Sequence, residues 1–488
     1  MSSFNHLERE MTAALFFCVV AVLSKTGEGT MTAKTRRHRT RPVKAPFGVT
    51  GCKIALLPIK KLKLNPKNAR RHSDGQVALI AANIDKLGFN VPIIVDETDT
   101  ILSGHGRLAA ARHLRLKVVP TIKLEHLDEH QKRAFVIAEN RLPQLAEWDE
   151  EVLSRELDDL LKIEDTLSFD VEVIGFDTAD IDQLLQADGN DTRAPEPAPP
   201  EPGLDAVTQS GDMWLLGEHR LLCGDACDQS AHARLFDGAT AQLVFTDPPY
   251  NVQIDQNVSG GGRVRHREFA MASGELSSEE FSTFLTKFLR STARHSTDGA
   301  ILFVCMDWRH ADVLSLAGEN AGLELKNICV WVKPNAGMGS FYRSQHEFVL
   351  VFKNGTAKHI NNFGLGGRGR HRTNVWRYAG VNSWGADRMQ QLAMHPTVKP
   401  VAMIADAIRD CSRRNGIIFD PFTGSGSTII AAERTGRLAY ALEIDPIYVD
   451  VAVRRWELET GKHAYLAEGG RTFADIQNER IGDGGDHA

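Results

Sequence analysis

The segment GIIFDPFTGSGSTIIAAERTGRLAYALEID (416–445) constrains what this chain can fold into more than any other stretch of its sequence. An apolar run that ends at Asp420 predicts a buried strand, and PFTGSG (421–426, called the glycine turn below) leads into a helix that Gly436 ends. A second apolar run predicts another strand, with Glu443 near its end. Strand, turn, helix and strand form a βαβ unit, so we expect an α/β fold.

The glycine turn and the acid after it predict a ligand site as well as a fold. Glycines let the backbone approach a bound molecule, and an acid at the end of the second strand can accept both hydroxyls of a ribose. Residues 424–429 read GSGSTI, so they lack the spacing G-x-G-x-x-G and the lysine of a P-loop. An adenosine-containing cofactor other than NAD or ATP is therefore favoured over an ordinary glycine turn.

A second unusual stretch, TDPPYNV (246–252), follows the apolar run AQLVF (241–245). Proline suits turns, and the residue before a proline prefers an extended backbone, so the plain interpretation is a turn at the end of a strand. A turn explains the prolines. It does not explain why an acid, Asp247, and an aromatic residue, Tyr250, stand on either side of them.

Residues 247–250 (DPPY) and the glycine turn together resemble the catalytic and cofactor motifs of the amino-methylating DNA methyltransferases, which use S-adenosylmethionine. The catalytic motif comes first in the chain, which is similar to the permuted, beta-type order, in which most members methylate adenine N6. The resemblance covers about residues 211–467. It implies a Rossmann-like, S-adenosylmethionine-dependent methyltransferase domain with a circularly permuted motif order.

The same resemblance implies roles for single residues. Asp225, in CGDA (223–226), matches an acid that contacts the adenine of the cofactor, and HPTVKP (395–400) matches a segment that helps to hold its methionine part. The residues predicted to bind the cofactor are Asp225, Thr397, Lys399, Asp420, Phe422, Gly424, Gly426 and Glu443.

The chemistry of amino-group methylation suits the DPPY residues. An exocyclic amine is a poor nucleophile because its lone pair is delocalised into the ring. Asp247 and the carbonyl of Pro248 can each accept one N–H, which aims the lone pair at the methyl donor, and the prolines stiffen that backbone. Tyr250 offers a stacking face to a base extruded from the duplex. The predicted catalytic residues are Asp247, Pro248, Pro249 and Tyr250.

Methylation of cytosine C5 would need a cysteine nucleophile, and no Pro-Cys dipeptide occurs in the chain. Contact with the target is predicted for two segments rich in glycine and arginine, 253–273 and 353–376. The alternative is that both are solvated loops, and no recognition sequence follows from them. The predicted DNA-binding residues are Arg263, Arg265, Arg368, Arg370 and Arg372.

Residues 54–186 resemble the N-terminal domain of ParB-like proteins, most clearly in ILSGHGRLAAARHLRLKVVPTIKL (101–124). That family binds a nucleotide phosphate at the turn before a helix, with a motif similar to G-E-R-R. Here the turn reads Gly104-His105-Gly106-Arg107, without the acid and one arginine, which argues against CTP hydrolysis. Backbone N–H groups at the helix start still favour an anion. The predicted phosphate contacts are Gly104, Gly106 and Arg107, and a purely structural turn is the alternative.

Charge and cysteine content limit the class of protein. The formal net charge of −6 means that any attraction to DNA must come from local charge. The seven cysteines include no CxxC pair, which indicates reduced thiols in a cytoplasmic protein and no metal site. The apolar run 11–23 is too short to span a bilayer and lacks a basic flank, so neither a membrane anchor nor a signal peptide is predicted.

The predicted organisation has five parts, separated by changes in composition. Proline and acidic residues in DGNDTRAPEPAPPEPG (188–203) mark a linker between two folded domains. The parts are a basic arm (1–46, of which 1–30 is expected to be an artefactual extension before Met31), a smaller α+β ParB-like domain (47–187), the linker (188–206), a methyltransferase domain (207–467) and a disordered tail (468–488).

These patterns predict a site-specific enzyme that transfers a methyl group from S-adenosylmethionine to an exocyclic amino group in double-stranded DNA, with adenine N6 as the target. Cytosine N4 stays open within the class, as do methylation of RNA or protein and a nucleotide-gated, ParB-like regulatory protein with secondary methyltransferase activity. The sequence leaves open whether the chain forms a homodimer and whether a restriction endonuclease accompanies it.

Overall fold

The computed structural model describes residues 53–163, 167, 169–187, 200, 205–252, 274–336, 341–364, 371–379 and 398–482. The chain divides into two compact units, residues 1–54 and 55–488, and only Lys53 and Ile54 of the first unit are described. The predicted basic arm therefore lies outside the described residues, as does most of the predicted linker.

The front domain begins with a small mixed sheet and two helices. The elements are β1 (Ile54–Pro58), α1 (Asp74–Leu87), β2 (Ile93–Val95), β3 (Ile101–Ser103), α2 (His105–His113) and β4 (Val118–Lys123). The strand order is β1-β4-β2-β3, and β2 runs parallel to β4 and antiparallel to β3. Leu108 and Ala111 of helix α2 pack against buried strand residues such as Ile93 and Ile101.

Three further helices follow this sheet: α3 (Glu129–Arg141), α4 (Glu150–Lys162) and α5 (Thr178–Ala187). Leu157 of α4 and Ile181 of α5 are fully buried in a small core of their own, separate from the core under the sheet. Asp182, the next residue of α5, is buried against the second domain. There its carboxylate pairs with Arg437 at 2.7 Å and with Arg414 at 3.2 Å.

The second domain contains one large sheet, whose described strands have the order β11-β9-β10-β8-β7-β12-β13-β6-β5-β14. The elements up to residue 320 are β5 (Met213–Leu216), β6 (His219–Cys223), α6 (Gln229–Phe236), β7 (Ala241–Thr246), α7 (Ser278–Arg294), β8 (Ser296–Met306) and α8 (Ala311–Asn320). Those after it are β9 (Glu324–Val332), β10 (His346–Lys353), β11 (Val375–Arg377), α9 (Val401–Cys411), β12 (Ile417–Asp420), α10 (Ser427–Thr435), β13 (Leu438–Glu443), α11 (Pro446–Thr460), β14 (Tyr465–Leu466) and α12 (Phe473–Ile481).

The central strands β8, β7, β12, β13 and β6 are parallel, so their carboxyl ends share one edge of the sheet. Side chains alternate between the two faces: Leu243 and Phe245 of β7 join the core under α9, α10 and α11, whereas Val244 joins the core under α6, α7 and α8. Helices thus cover both faces, as the predicted α/β class requires.

The prediction of a disordered tail is wrong for residues 473–481, which form helix α12. Thr472 and Asp475 form a capping box at its start. Phe473 and Ile476 are buried, and the ring of Phe473 lies 5.1 Å from that of Trp214. Two apolar residues three positions apart dock one face of this short helix against the domain.

Among the described residues, no helix combines the length and the apolar character that a membrane crossing requires.

Candidate active site

The predicted catalytic motif and the glycine turn lie side by side at the carboxyl edge of the sheet. Val244 of β7 is paired with Phe419 of β12 in parallel strands. Asp247 and Phe422 each stand three positions further along, so the two motifs begin level with each other on adjacent strands. The pairing of β7 with β12 gives the register of this juxtaposition.

The carboxylate of Asp247 has a partner on each oxygen. The hydroxyl of Tyr250 donates to its Oδ1 at 2.6 Å, and Nζ of Lys399, just before α9, donates to its Oδ2 at 2.5 Å. Downstream, the side chain of Asn251 bonds the backbone of Gly274 and Leu276, which ties the end of the motif to the start of α7. The motif is thereby held at both ends.

Lys399 also contacts a second acid, Glu347, the second residue of β10. Their Nζ and Oε2 atoms lie 3.3 Å apart, and Glu347 in turn pairs with Lys333 at the end of β9. The side chain of Lys399 is only 5% exposed. Its ammonium lies 5.5 Å from the ring centroid of Tyr250 and 5.9 Å from that of Trp331. Two carboxylates and two ammonium groups therefore form one partly buried network with no net charge.

Burial sets the acid–base properties of this network. Burial raises the pKa of Asp247, Glu347 adds to the rise and Lys399 opposes it. Burial also acts to raise the pKa of Glu347, but Lys399 and Lys333 outweigh it and lower that pKa to about 2. The pKa of Tyr250 is raised by burial and by Asp247, so the phenol keeps its proton and can act as a donor.

The glycine turn is shaped by left-handed backbone at Gly424 (φ 51°) and Gly426 (φ 83°). A Cβ added at Gly426 would lie 2.9 Å from the Cβ of Ala452, so only glycine allows helix α11 to approach so closely. Asp420 supports the turn, since it accepts from the N–H of Phe422 at 3.1 Å and from the hydroxyl of Thr428 at 2.6 Å. Burial raises the pKa of Asp420 to about 6.

Glu443 closes the turn from the next strand. Its Oε2 accepts the N–H of Gly424 at 2.9 Å and its Oε1 accepts the N–H of Asp445 at 2.9 Å. Burial raises the pKa of Glu443 to about 7. The end of β6 lies beside it, because the N–H of Gly224 bonds the carbonyl of Glu443, which brings Asp225 to the same edge. The carboxylate of Asp225 itself accepts the N–H of Cys227 at 2.7 Å.

These residues suit an adenosine-containing ligand. Each oxygen of Glu443 uses one lone pair on a backbone N–H and keeps another for a ribose hydroxyl. The hydroxyl of Thr423, inside the glycine turn, is buried and has no hydrogen-bond partner among the described residues. A polar ligand at the turn would offer it one.

Some predicted residues lie elsewhere or have other contacts. The ring of Phe422 packs against Phe284 and Phe288 of α7, at 6.0 and 5.1 Å between centroids, so it supports the turn from the core. Arg372 points inward, where its Nε donates to Asp410 at 2.8 Å and its Nη1 to Tyr378 at 3.0 Å. Five predicted residues lie outside the described part of the chain: Arg263, Arg265, Arg368, Arg370 and Thr397.

The predicted phosphate turn of the front domain is well formed. Gly104 has a left-handed backbone (φ 105°) and caps α2, and a Cβ at Gly106 would lie 2.9 Å from His72. Nη2 of Arg107 donates to the carbonyl of Pro92 at 3.3 Å. Its Nε is buried and meets no hydrogen-bond acceptor among the residues that the structure describes.

Glu347 and Lys333 are site residues that sequence reasoning missed. Glu347 stands in HEFVLVFK (346–353), where an acid at the start of an apolar run gives no functional signal. The antiparallel pairing of β10 with β8 and β9 brings it to the catalytic edge.

Three family descriptions match parts of the chain. The ParB N-terminal domain matches residues 48–141, and the DNA methylase description matches residues 241–454. Between them, the ParB-methyltransferase HTH domain matches residues 151–210. Helix α5 and all but the first residue of helix α4 lie within this last match, whereas the predicted ParB-like domain (47–187) includes both helices.

Individual relatives match either half. YnaK of Escherichia coli (strain K12), a ParB-like nuclease domain-containing protein, is 40% identical over 81 residues, 17% of this chain and 93% of that protein. The type II methyltransferase M.ScaI of Streptomyces caespitosus is 38% identical over 91 residues, 19% of this chain and 30% of that protein. M2.DpnII of Streptococcus pneumoniae, another type II methyltransferase, is 25% identical over 228 residues, 44% of this chain and 82% of that protein.

Among solved structures, the M1.HpyAVI–SAM complex is 20% identical, with a TM-score of 0.36 and coverage of 48% of this chain and 97% of that one. By its front domain the chain belongs to the family of ParB-like domain proteins, and that domain precedes a DNA methylase domain of the N6/N4 amino-methyltransferase family.

Proposed function

We propose that this protein methylates the exocyclic amino group of a base in double-stranded DNA, with adenine N6 as the target and S-adenosylmethionine as the methyl donor. The observation that carries the proposal is the level placement of Asp247 and the glycine turn on the adjacent parallel strands β7 and β12. A base held at Asp247 would then lie next to a cofactor held at the glycine turn and Glu443. Cytosine N4 is the alternative within the same chemistry.

The cofactor supplies an electrophilic methyl group on a sulfonium. The glycine turn and Glu443 hold its adenosine part, and Asp225 reaches the same edge from β6. Lys399 was predicted to help hold the methionine part, but its Nζ is engaged with Asp247 and Glu347. We therefore assign it to the catalytic carboxylate.

Asp247 acts on the amino group. Its carboxylate accepts one N–H, the carbonyl of Pro248 accepts the other, and the nitrogen lone pair is directed out of the ring plane. Tyr250 fixes Asp247 through its hydroxyl and offers its ring to the base. The nitrogen loses one proton as it gains the methyl group, and Asp247, whose pKa burial raises, is placed to take that proton.

Methyl transfer from labelled S-adenosylmethionine to unmethylated genomic DNA tests the proposal, with the DNA digested to nucleosides and resolved by mass spectrometry. We expect label in N6-methyladenine with the wild-type protein and none with Asp247→Ala. The matched control is Asp312→Ala, an exposed aspartate in the first turn of α8, which should transfer normally. Label in N4-methylcytosine would change the base and keep the mechanism. Cofactor binding without label in DNA would refute the proposal.

A second function, phosphate or nucleotide binding, is proposed for the front domain. It is favoured by the buried Nε of Arg107, to which the described residues offer no acceptor, beside the N-terminus of α2. Burial lowers the pKa of both Arg107 and His105, because it disfavours their charged forms. A bound anion would stabilise those charged forms. Calorimetric titration of the full chain with CTP, ATP and inorganic phosphate tests whether the front domain binds a phosphate or a nucleotide. We expect Arg107→Leu to abolish binding.

A further inference from the structure

The resting arrangement of Asp247 poses a problem for the proposed reaction. Both carboxylate oxygens already accept a short hydrogen bond, Oδ1 from Tyr250 and Oδ2 from Lys399. Each oxygen keeps a second lone pair, but the ammonium at 2.5 Å on Oδ2 neutralises the charge there and so weakens Asp247 as an acceptor and as a base for the target amino group. Withdrawal of one of the two donors when the base arrives would therefore strengthen Asp247 for the reaction.

Both donors have Glu347 as a second acceptor within reach, and Lys399 is the one that can turn to it without moving an aromatic ring. Its ammonium lies 2.5 Å from Oδ2 of Asp247 and 3.3 Å from Oε2 of Glu347, so a shift of about an ångström exchanges one carboxylate for the other. The hydroxyl of Tyr250 lies 2.6 Å from Asp247 and 3.4 Å from Glu347, but its ring is needed where it is to stack on the base. A shift of Lys399 leaves that ring in place.

Glu347 is itself held firmly enough to serve as that second acceptor. It is paired with Trp331 across the antiparallel strands β10 and β9, and Lys333, two residues beyond Trp331, binds its other oxygen, Oε1. The side chain of Glu347 is 17% exposed and that of Lys399 is 5% exposed. A buried ammonium that left Asp247 without reaching another carboxylate would be strongly disfavoured.

We propose that Glu347 is a positioning residue, which takes over Lys399 when the target amino group binds and so releases Oδ2 of Asp247 for that group. The proposal rests on the proposed methyltransferase function. Glu347 does not touch the reacting atoms. It acts through Lys399 and lies outside both the DPPY motif and the glycine turn.

The pH dependence of methyl transfer reports this role. Asp247 must be ionised to accept the N–H, so transfer should fall as the pH drops through its pKa. The groups that face Asp247 are Lys399, Glu347, Tyr250, Cys305 of β8 and Asp420 of β12. Of these, Glu347 raises the pKa of Asp247. Removal of its charge should therefore move the acid limb, the low-pH fall in the transfer rate, to lower pH.

The test measures single-turnover methyl transfer by the full chain between pH 5 and 9, together with equilibrium binding of S-adenosylmethionine. In Glu347→Gln the rate at the plateau should fall by roughly 10- to 100-fold, the order of one lost hydrogen bond between charged groups. Its acid limb should move to lower pH, and cofactor binding should be retained. Glu347→Asp keeps the charge, so it should keep the wild-type limb and recover part of the rate.

Two further variants make the result specific. Glu324→Gln is the matched control, because Glu324 also pairs with a lysine, Lys326, but at the opposite end of β9. It should behave like the wild type. Lys333→Met leaves the charge of Glu347 less neutralised, so it should move the acid limb to higher pH, opposite to Glu347→Gln.

A wild-type rate in Glu347→Gln would overturn the inference. A slow Glu347→Gln with an unmoved acid limb would also overturn it, because a loss of packing alone does not change the pKa of Asp247. If Glu347→Gln does not fold, Lys333→Met takes its place as the test. An acid limb that stays at the wild-type pH in Lys333→Met would then overturn the inference. Absence of transfer by the wild-type protein would count against the proposed function and this inference together, whereas an active wild type with unaffected variants would count against Glu347 alone.

Discussion

Val244 on β7 and Phe419 on β12 face each other across two parallel strands in the middle of the sheet. More than a third of the chain separates them in sequence. Asp247 and Phe422, three residues further along each strand, belong to the two motifs of the candidate site. Ligands of open α/β sheets bind at the carboxyl ends of such strands. The pairing of these two residues therefore brings two separate sequence motifs together in one candidate site.

Tyr250 has two separable roles, and two substitutions should distinguish them. Tyr250→Phe keeps the ring and loses the hydroxyl that donates to Asp247 at 2.6 Å, so we expect less than about a 10-fold loss of the transfer rate, the order of one hydrogen bond. Tyr250→Ala also loses the stacking face and should weaken binding of the extruded base by about 1–3 kcal/mol. Rates with saturating cofactor and varied DNA measure both, and equal effects of the two variants would contradict separate roles.

Glu443 should make cofactor binding depend on pH near neutrality. Burial raises its pKa to about 7, and only the ionised carboxylate accepts two ribose hydroxyls in addition to its backbone donors. The affinity for S-adenosylmethionine should therefore decrease as the pH falls from 8 to 6. Isothermal titration at several pH values measures this. Glu443→Gln should bind weakly with no such dependence, and a pH-independent wild type would contradict the prediction.

The ion pair between Asp182 and Arg437 should contribute strongly to stability. Both side chains are almost completely buried, and Asp182 is shared with Arg414. Removal of one partner of a buried pair costs about 3–5 kcal/mol, so Asp182→Ala should lower the free energy of unfolding by that order. Denaturant titration measures it. Glu151→Ala, which breaks an exposed pair with Arg155 on α4, is the control and should have little effect.

Arg372 was predicted from the sequence to contact DNA, and its described contacts favour a different outcome for substitution. Its guanidinium pairs with Asp410 at 2.8 Å and lies 3.5 Å from Asp406. Arg372→Gln should therefore lower the unfolding temperature more than it lowers DNA affinity. Thermal unfolding and duplex binding at fixed salt, measured on the same preparation, decide between the two. A stable variant with weak DNA binding would restore the original prediction.

The family, the βαβ unit and the residues of both motifs could be predicted from the sequence, because each depends on local pattern. Apolar runs with turn residues between them indicate strands and helices, and the glycines at 424 and 426 and the prolines at 248 and 249 restrict the backbone wherever they stand. The roles assigned to Phe422 and to the arginines stay predictions.

Only the tertiary structure decided which charges meet. Lys399 precedes α9, Glu347 lies on β10 and Lys333 follows β9, and no spacing along the chain encodes their contact with each other or with Asp247. The same holds for helix α12, whose Phe473 packs against the distant Trp214, and for Asp182, whose partners lie more than 200 residues away. The sequence determined the local elements and the chemistry they carry, whereas burial and long-range pairing, which depend on the whole fold, decided how that chemistry is assembled.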